Sequence, residues 1–106
     1  MNYTMKKTYR PLPKFLTIKN SSIEGLGLFA TEAIIAEVHI GISHVKRRGF
    51  EDGYVRTPLG GFINHSETPN CETNEIENGI MEIKSLRDIK PGEELTLKYK
   101  WYNPNE

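Results

Sequence analysis

Apolar and polar positions alternate in short runs along most of this chain, and clusters of Gly, Pro, Asn, Asp and Ser separate the runs. From Phe15 to Lys19 the two kinds take turns, which predicts a short strand. Asn20 to Gly27 is turn chemistry, and Leu28-Phe29-Ala30 resumes an apolar run. Val38, Ile40 and Ile42 alternate with His39, Gly41 and Ser43, a pattern that predicts a half-buried strand with His39 facing outward. His44, near the end of that strand, is expected at the surface as well. Lys46 to Gly53 is polar and bounded by glycine, which predicts a loop before Tyr54-Val55-Arg56-Thr57. Asn78-Gly79 lies between Asn74-Glu75-Ile76-Glu77 and Ile80-Met81-Glu82-Ile83-Lys84, and Asn-Gly favours the positive backbone angles of a type I′ hairpin. Asp88 to Gly92 supplies another turn, and from Glu94 to Tyr99 the residues Leu95, Leu97 and Tyr99 share one face. No stretch of ten or more residues carries a helical apolar face, so the chain is expected to be mainly β. Residues 1–14 hold Pro11 and Pro13 and little periodicity, and are expected to run over the surface as an arm.

One stretch departs from this alternation: Leu59-Gly60-Gly61-Phe62-Ile63-Asn64-His65-Ser66-Glu67-Thr68-Pro69-Asn70-Cys71. Its glycines permit close backbone approach, Phe62 and Ile63 supply an apolar anchor, and the polar residues that follow make turns and polar contacts. The segment resembles the Asn-His-Ser-x-x-Pro-Asn-Cys signature of SET domains, a family of S-adenosylmethionine-dependent protein lysine methyltransferases. Ile23-Glu24-Gly25-Leu26-Gly27-Leu28-Phe29-Ala30 is similar to the opening motif of that family, and Gly92-Glu93-Glu94-Leu95-Thr96-Leu97-Lys98-Tyr99 to its last. The three occur in the family's order over residues 15–102, the expected domain, followed by a tail at 103–106.

The resemblance implies a fold of the β-clip type, with several short sheets. In its C-terminal pseudoknot the segment Phe62 to Ser66 packs against the one ending at Tyr99. It implies S-adenosylmethionine as cofactor and a protein or peptide lysine as substrate. Glu24, Gly25, Leu26, Gly27, Asn64, His65, Tyr99 and Trp101 would hold the cofactor, with Asn64 contributing its amide. Leu97, Tyr99, Trp101 and Tyr102 would line the substrate channel, with Tyr99 as the catalytic residue. The same aromatics, Trp101 and Tyr102, could instead simply seal the chain end. Leu97 stands where many relatives carry Phe or Tyr, and the extra room it leaves hints at di- or trimethylation. The chain departs from the family pattern at Ile35-Ala36-Glu37, where a Lys-Gly turn is usual. It departs again after the strand ending near His44, where the long insert of most SET domains shrinks to about a dozen residues. His65 as a zinc ligand or general base is the alternative to its place in the cofactor wall. A non-catalytic SET-fold peptide-binding module is the alternative to the enzyme.

Charge and cysteine content narrow the classes further. The 106 residues balance 14 basic against 14 acidic side chains, so overall phosphate attraction gives a nucleic-acid partner no support. Five bases and no acid fall in residues 1–20, and five glutamates and no base in residues 67–83, either as solvated faces or as docking surfaces. Cys71 is the only cysteine, which excludes an internal disulfide and a multi-cysteine zinc cap within the chain, and no metal is expected. No apolar run approaches membrane-spanning length, and the basic N-terminus lacks the apolar core of a signal peptide, so a cytoplasmic protein is expected. Since so short a chain has to form two pockets, a homodimer with each subunit covering the other's groove is also expected.

Overall fold

The computed structural model describes residues 11–49 and 53–99. Strands dominate it, as the alternation predicts. β1 (Leu16–Asn20) and β2 (Leu26–Ala30) form an antiparallel hairpin in which Leu16 pairs with Ala30 and Asn20 with Leu26. β3 (His39–Lys46) and β4 (Tyr54–Arg56) are followed by a one-turn helix, α1 (Pro58–Phe62), and the short β5 (Asn64–His65). β6 (Cys71–Glu77), β7 (Ile80–Ser85) and β8 (Thr96–Leu97) complete the chain, and a four-stranded sheet runs in the order β4-β3-β7-β6. Leu28, Ile83 and Leu95, from three different parts of the chain, are each 0% exposed and mark the centre of the core. Leu12 and Phe15 pack against it from the N-terminal side.

β3 corrects the expected burial. Against β7, Gly41 pairs with Ile83 and His39 with Lys84, so Ile40 is an extra residue; Ser43 is a second, between the Ile42–Glu82 and His44–Met81 pairs. Each bulge shifts the facing of everything beyond it. Ile40 is buried as its pattern demands, but Ile42 is 42% exposed, while Ser43 and His44 turn inward at 0% and 2%. His44 is therefore a core residue, its Nδ1 2.8 Å from Ser43 Oγ and its ring edge-on to Tyr54.

The hairpin between β6 and β7 forms where Asn78-Gly79 sits, but not with the expected turn. Only Gly79 has a positive φ, +81°, whereas type I′ needs two such residues. The register shifts between Glu75 and Glu77, so Ile76 is bulged out and a single left-handed glycine closes the loop. Near the C-terminus both faces are buried: Thr96 is 7% exposed beside Leu95 and Leu97 at 0% and 1%, so alternation there does not separate core from solvent.

The turn before β3 keeps its shape without a glycine. Glu37 adopts φ +67°, the only positive φ at a non-glycine among the described residues. That conformation costs about 1–2 kcal/mol for an L-residue. Glu37→Gly is expected to raise unfolding stability by about 0.5 kcal/mol, since glycine's entropy and one exposed ion pair offset part of the relief. Lys84, 3.0 Å from Glu37, keeps Glu72 at 3.6 Å. Urea titration measures the difference, and a net loss would mean that the Lys84 contact outweighs the strain.

Candidate active site

Three stretches far apart in sequence meet beside α1. β5 and β8 pair in parallel, Asn64 with Thr96 and His65 with Leu97, and the Ser66 N–H donates to the Leu97 carbonyl at 2.8 Å. Asn70 bolts the same junction from the side. It is 3% exposed; its Nδ2 donates to the Glu94 carbonyl and its Oδ1 accepts from the Thr96 N–H, each at 2.8 Å. The side chain thus satisfies one backbone acceptor and one donor, the work of a strand neighbour. Residues 92–95 run beside β2, with the Leu95 N–H on the Leu28 carbonyl at 2.8 Å and the Ala30 N–H on the Glu93 carbonyl at 2.9 Å.

A cavity of about 180 Å³ opens at this junction. Asn64, Leu97 and Tyr99 line it, together with His44, Arg56 and Ile63 and the two glycines of α1. The Tyr99 hydroxyl donates to the Ile63 carbonyl at 3.0 Å, which fixes where its oxygen lies. Its backbone N–H donates to His65 Nδ1 at 3.1 Å, and the two rings lie with centroids 5.0 Å apart. A backbone N–H can only donate, so Nδ1 accepts and the ring proton sits on Nε2, which meets Glu67 Oε2 at 2.8 Å. Both ring nitrogens are thereby engaged, and His65 braces Tyr99. That contact, with Lys98 at 3.3 Å from the other oxygen, holds the Glu67 carboxyl below the usual carboxylate range.

The opening motif reaches the junction through side chains. Ser21 Oγ donates to the Glu94 carboxylate at 2.8 Å and accepts from the Ile23 N–H at 2.9 Å. Asn64 Nδ2 donates to Glu94 Oε2 at 2.8 Å and to the Glu24 carbonyl at 3.1 Å, with Ser21 Oγ and the Leu26 carbonyl within 3.3 Å. The Asn64 amide, expected to contribute to the cofactor site, donates here to Glu94 and to the loop. What the loop offers outward is Glu24 and Gly25, flanked by Ile23 and Leu26, which are 49% and 46% exposed. Gly25 has φ +45° and nothing within 4 Å of where a Cβ would stand, which leaves the backbone open there. Exposed backbone with apolar flanks could hold a ligand that carries both an amino-acid end and a purine.

Leu97, Tyr99 and Asn64 are thus brought together, while Glu24, Gly25 and Leu26 form a separate rim tied to them through Asn64; Gly27 lies buried beneath it. Trp101 and Tyr102 lie outside the described residues. Cys71 is 1% exposed, and burial pushes its thiol up to about 12, so it is a neutral packed group. Among the described residues no cluster of three His, Cys, Asp or Glu is arranged to hold a metal ion, and no helix is long and apolar enough to cross a membrane. His44, Arg56, Ser21, Asn70 and Glu94 also belong to the junction, beyond the site residues expected from sequence. Nothing in the local pattern around them marks these residues.

Comparison with known proteins gives the family. Residues 42–100, more than half of the chain, match the SET domain family. This chain belongs to the SET domain family. A histone-lysine N-methyltransferase of Arabidopsis thaliana, ATXR7, is 34% identical over 119 residues, covering 83% of this chain and 8% of the relative. A second from the same plant, ASHH2, is 43% identical over 53 residues, covering 47% of this chain and 3% of the relative. The mouse protein-lysine N-trimethyltransferase SMYD5 is 45% identical over 42 residues, 39% of this chain and 10% of the relative. This SET domain spans only a small part of the curated relatives it matches. The crystal structure of a Plasmodium falciparum protein named as a histone methyltransferase superposes with a TM-score of 0.67 at 23% identity, over 90% of this chain and 100% of that one. That likeness carries the SET fold.

Proposed function

We propose that this SET domain transfers methyl groups from S-adenosylmethionine to a lysine side chain of a protein or peptide. The observation that carries the reading is the shared cavity, where Asn64, Leu97 and an anchored Tyr99 hydroxyl converge from motifs more than thirty residues apart. The cofactor supplies an electrophilic methyl on a sulfonium. The chain has to bring a neutral amine in line with it and exclude water.

The neutral amine is the harder requirement. A free lysine titrates near 10.4, so deprotonation at pH 7 costs about 4.6 kcal/mol. Among the described residues lining the cavity there is no carboxylate. A low-dielectric pocket and the nearby sulfonium charge both disfavour the ammonium, so the site lowers that cost without a dedicated base. Because the Tyr99 O–H is committed to the Ile63 carbonyl, its oxygen faces the amine as an acceptor. Accepting an amine N–H there turns the nitrogen lone pair toward the incoming methyl, the positioning that converts binding into rate.

Calorimetry with S-adenosylhomocysteine and transfer of labelled methyl groups to host lysate proteins, read by mass spectrometry at lysine, test the reading together. Heat and lysine label support it. Neither would leave a peptide-binding module in its place.

Leu97 sets the width of the channel in this proposal, being 1% exposed and part of the cavity wall. Leu97→Phe is expected to move products from di- and trimethyl-lysine toward monomethyl-lysine, because one added ring consumes space the second methyl needs. Intact-mass spectra of a methylated peptide decide this, and an unchanged product distribution would remove Leu97 from that role.

A further inference from the structure

The carboxylate of Glu94 has no part in the methyl transfer proposed above, yet it sits where the three motifs touch. Oε1 and Oε2 lie 2.8 and 2.9 Å from Ser21 Oγ, and Oε2 lies 2.8 Å from Asn64 Nδ2. Ser21 in turn accepts from the Ile23 and Glu24 N–H groups at 2.9 and 3.3 Å. The backbone of Glu94 is itself fixed, bridged to Phe29 and held through its carbonyl by Asn70. Gly27 completes the arrangement: a Cβ there would overlap Glu94 Oε2 and approach Glu94 Cδ to 2.8 Å and Asn64 Nδ2 to 3.2 Å. The carboxylate therefore occupies the space that the second glycine of the opening motif leaves.

We infer that Glu94 is a positioning residue that sets the cofactor rim, clamping residues 21–27 onto Asn64 through Ser21 and the gap at Gly27. The inference rests on the methyl-transfer reading for the identity of the ligand. An ionised acceptor receiving hydroxyl and amide donors makes short, strong hydrogen bonds. Here those bonds hold the Ile23–Leu26 rim in place, and so set how tightly a bound cofactor is gripped. Gly27 is required by this carboxylate, not by the ligand.

Glu94→Ala and Gly27→Ala are each expected to weaken S-adenosylhomocysteine binding about tenfold or more and to raise KM for S-adenosylmethionine, with kcat at saturation changed far less. Combining them is expected to bind within about threefold of Glu94→Ala alone, because the added methyl then has room; contacting sites fail to add. Amide exchange at Ile23 and Glu24 without any ligand is expected to speed up about tenfold in Glu94→Gln, which keeps the side-chain size and serves if the alanine variant does not fold. Parent binding with unchanged binding in both single variants would overturn the inference, as would losses that multiply in the double variant, or unchanged exchange. A parent that binds no S-adenosylhomocysteine would overturn the methyl-transfer reading itself and, with it, the ligand named here, which separates the two failures.

Discussion

Replacing Tyr99 with phenylalanine is expected to lower methyl-transfer turnover about 100-fold, the size of effect seen when one positioned polar group is lost from a reaction centre. The substitution removes one oxygen and keeps the ring, so the packing of Tyr99 on His65, 5.0 Å between centroids, survives. The backbone N–H of Tyr99 still holds His65 Nδ1 at 3.1 Å, so the chain's path past the cavity also survives. What disappears is an acceptor fixed by its bond to the Ile63 carbonyl, and with it the directional hold on the amine. Leaving that carbonyl without its donor costs about 1 kcal/mol of stability, small beside the loss in rate. Because the hydroxyl acts on the reacting amine, kcat and kcat/KM for peptide are expected to fall together, with S-adenosylhomocysteine affinity nearly unchanged. A variant as fast as the parent would take Tyr99 out of the mechanism. One that loses affinity instead of rate would make the hydroxyl part of the cofactor's bed.

The features read correctly from sequence were those written in local pattern. Period-two alternation predicted β1 and β3, and Asn78-Gly79 located the β6–β7 hairpin. The three motifs, read by resemblance, located the segments that meet at the junction. The misreadings have one physical origin: a partner elsewhere in the chain overrode the local pattern. β3 alternates cleanly in sequence, but β7 pairs with it two residues short, and the two bulges carry His44 inward and Ile42 outward. Thr96 looks like an outward position until Asn70, 26 residues earlier, takes its N–H. Ser21 and Glu94 are 73 residues apart, and nothing near either one announces the other. α1 is too short to show a helical period, although Thr57-Pro58 is a readable start: the Thr57 hydroxyl accepts from the Gly60 N–H, and proline fills the first helical position.

That same short helix yields the largest expected loss of stability, from one methyl group. A Cβ on Gly60 would overlap the Ser43 carbonyl oxygen and come within 2.9 Å of its carbon and 3.1 Å of His44 Cε1. The obstacle is backbone, and it cannot retreat cheaply, because the Ser43 carbonyl accepts the Thr57 N–H at 2.9 Å and the Thr57 hydroxyl bonds the Ile42 carbonyl at 2.7 Å. Moving α1 away breaks its own cap, and moving β3 disturbs the bulge that turns His44 inward. Gly60→Ala is therefore expected to cost about 3 kcal/mol or more, the upper part of the range for overpacking, against a total of about 5–15 kcal/mol. Gly61→Ala is the matched control. Its Cβ would meet nothing within 4 Å and its site is exposed, so replacing a helical glycine there is expected to gain about 0.5–1 kcal/mol. Thermal unfolding of the pair separates close approach from helix propensity, with a drop of more than about 10 °C expected for Gly60→Ala and a small rise for Gly61→Ala. Equal effects at the two positions would mean that α1 does not seat against Ser43. The cavity wall built from His44 and the glycines would then need another support.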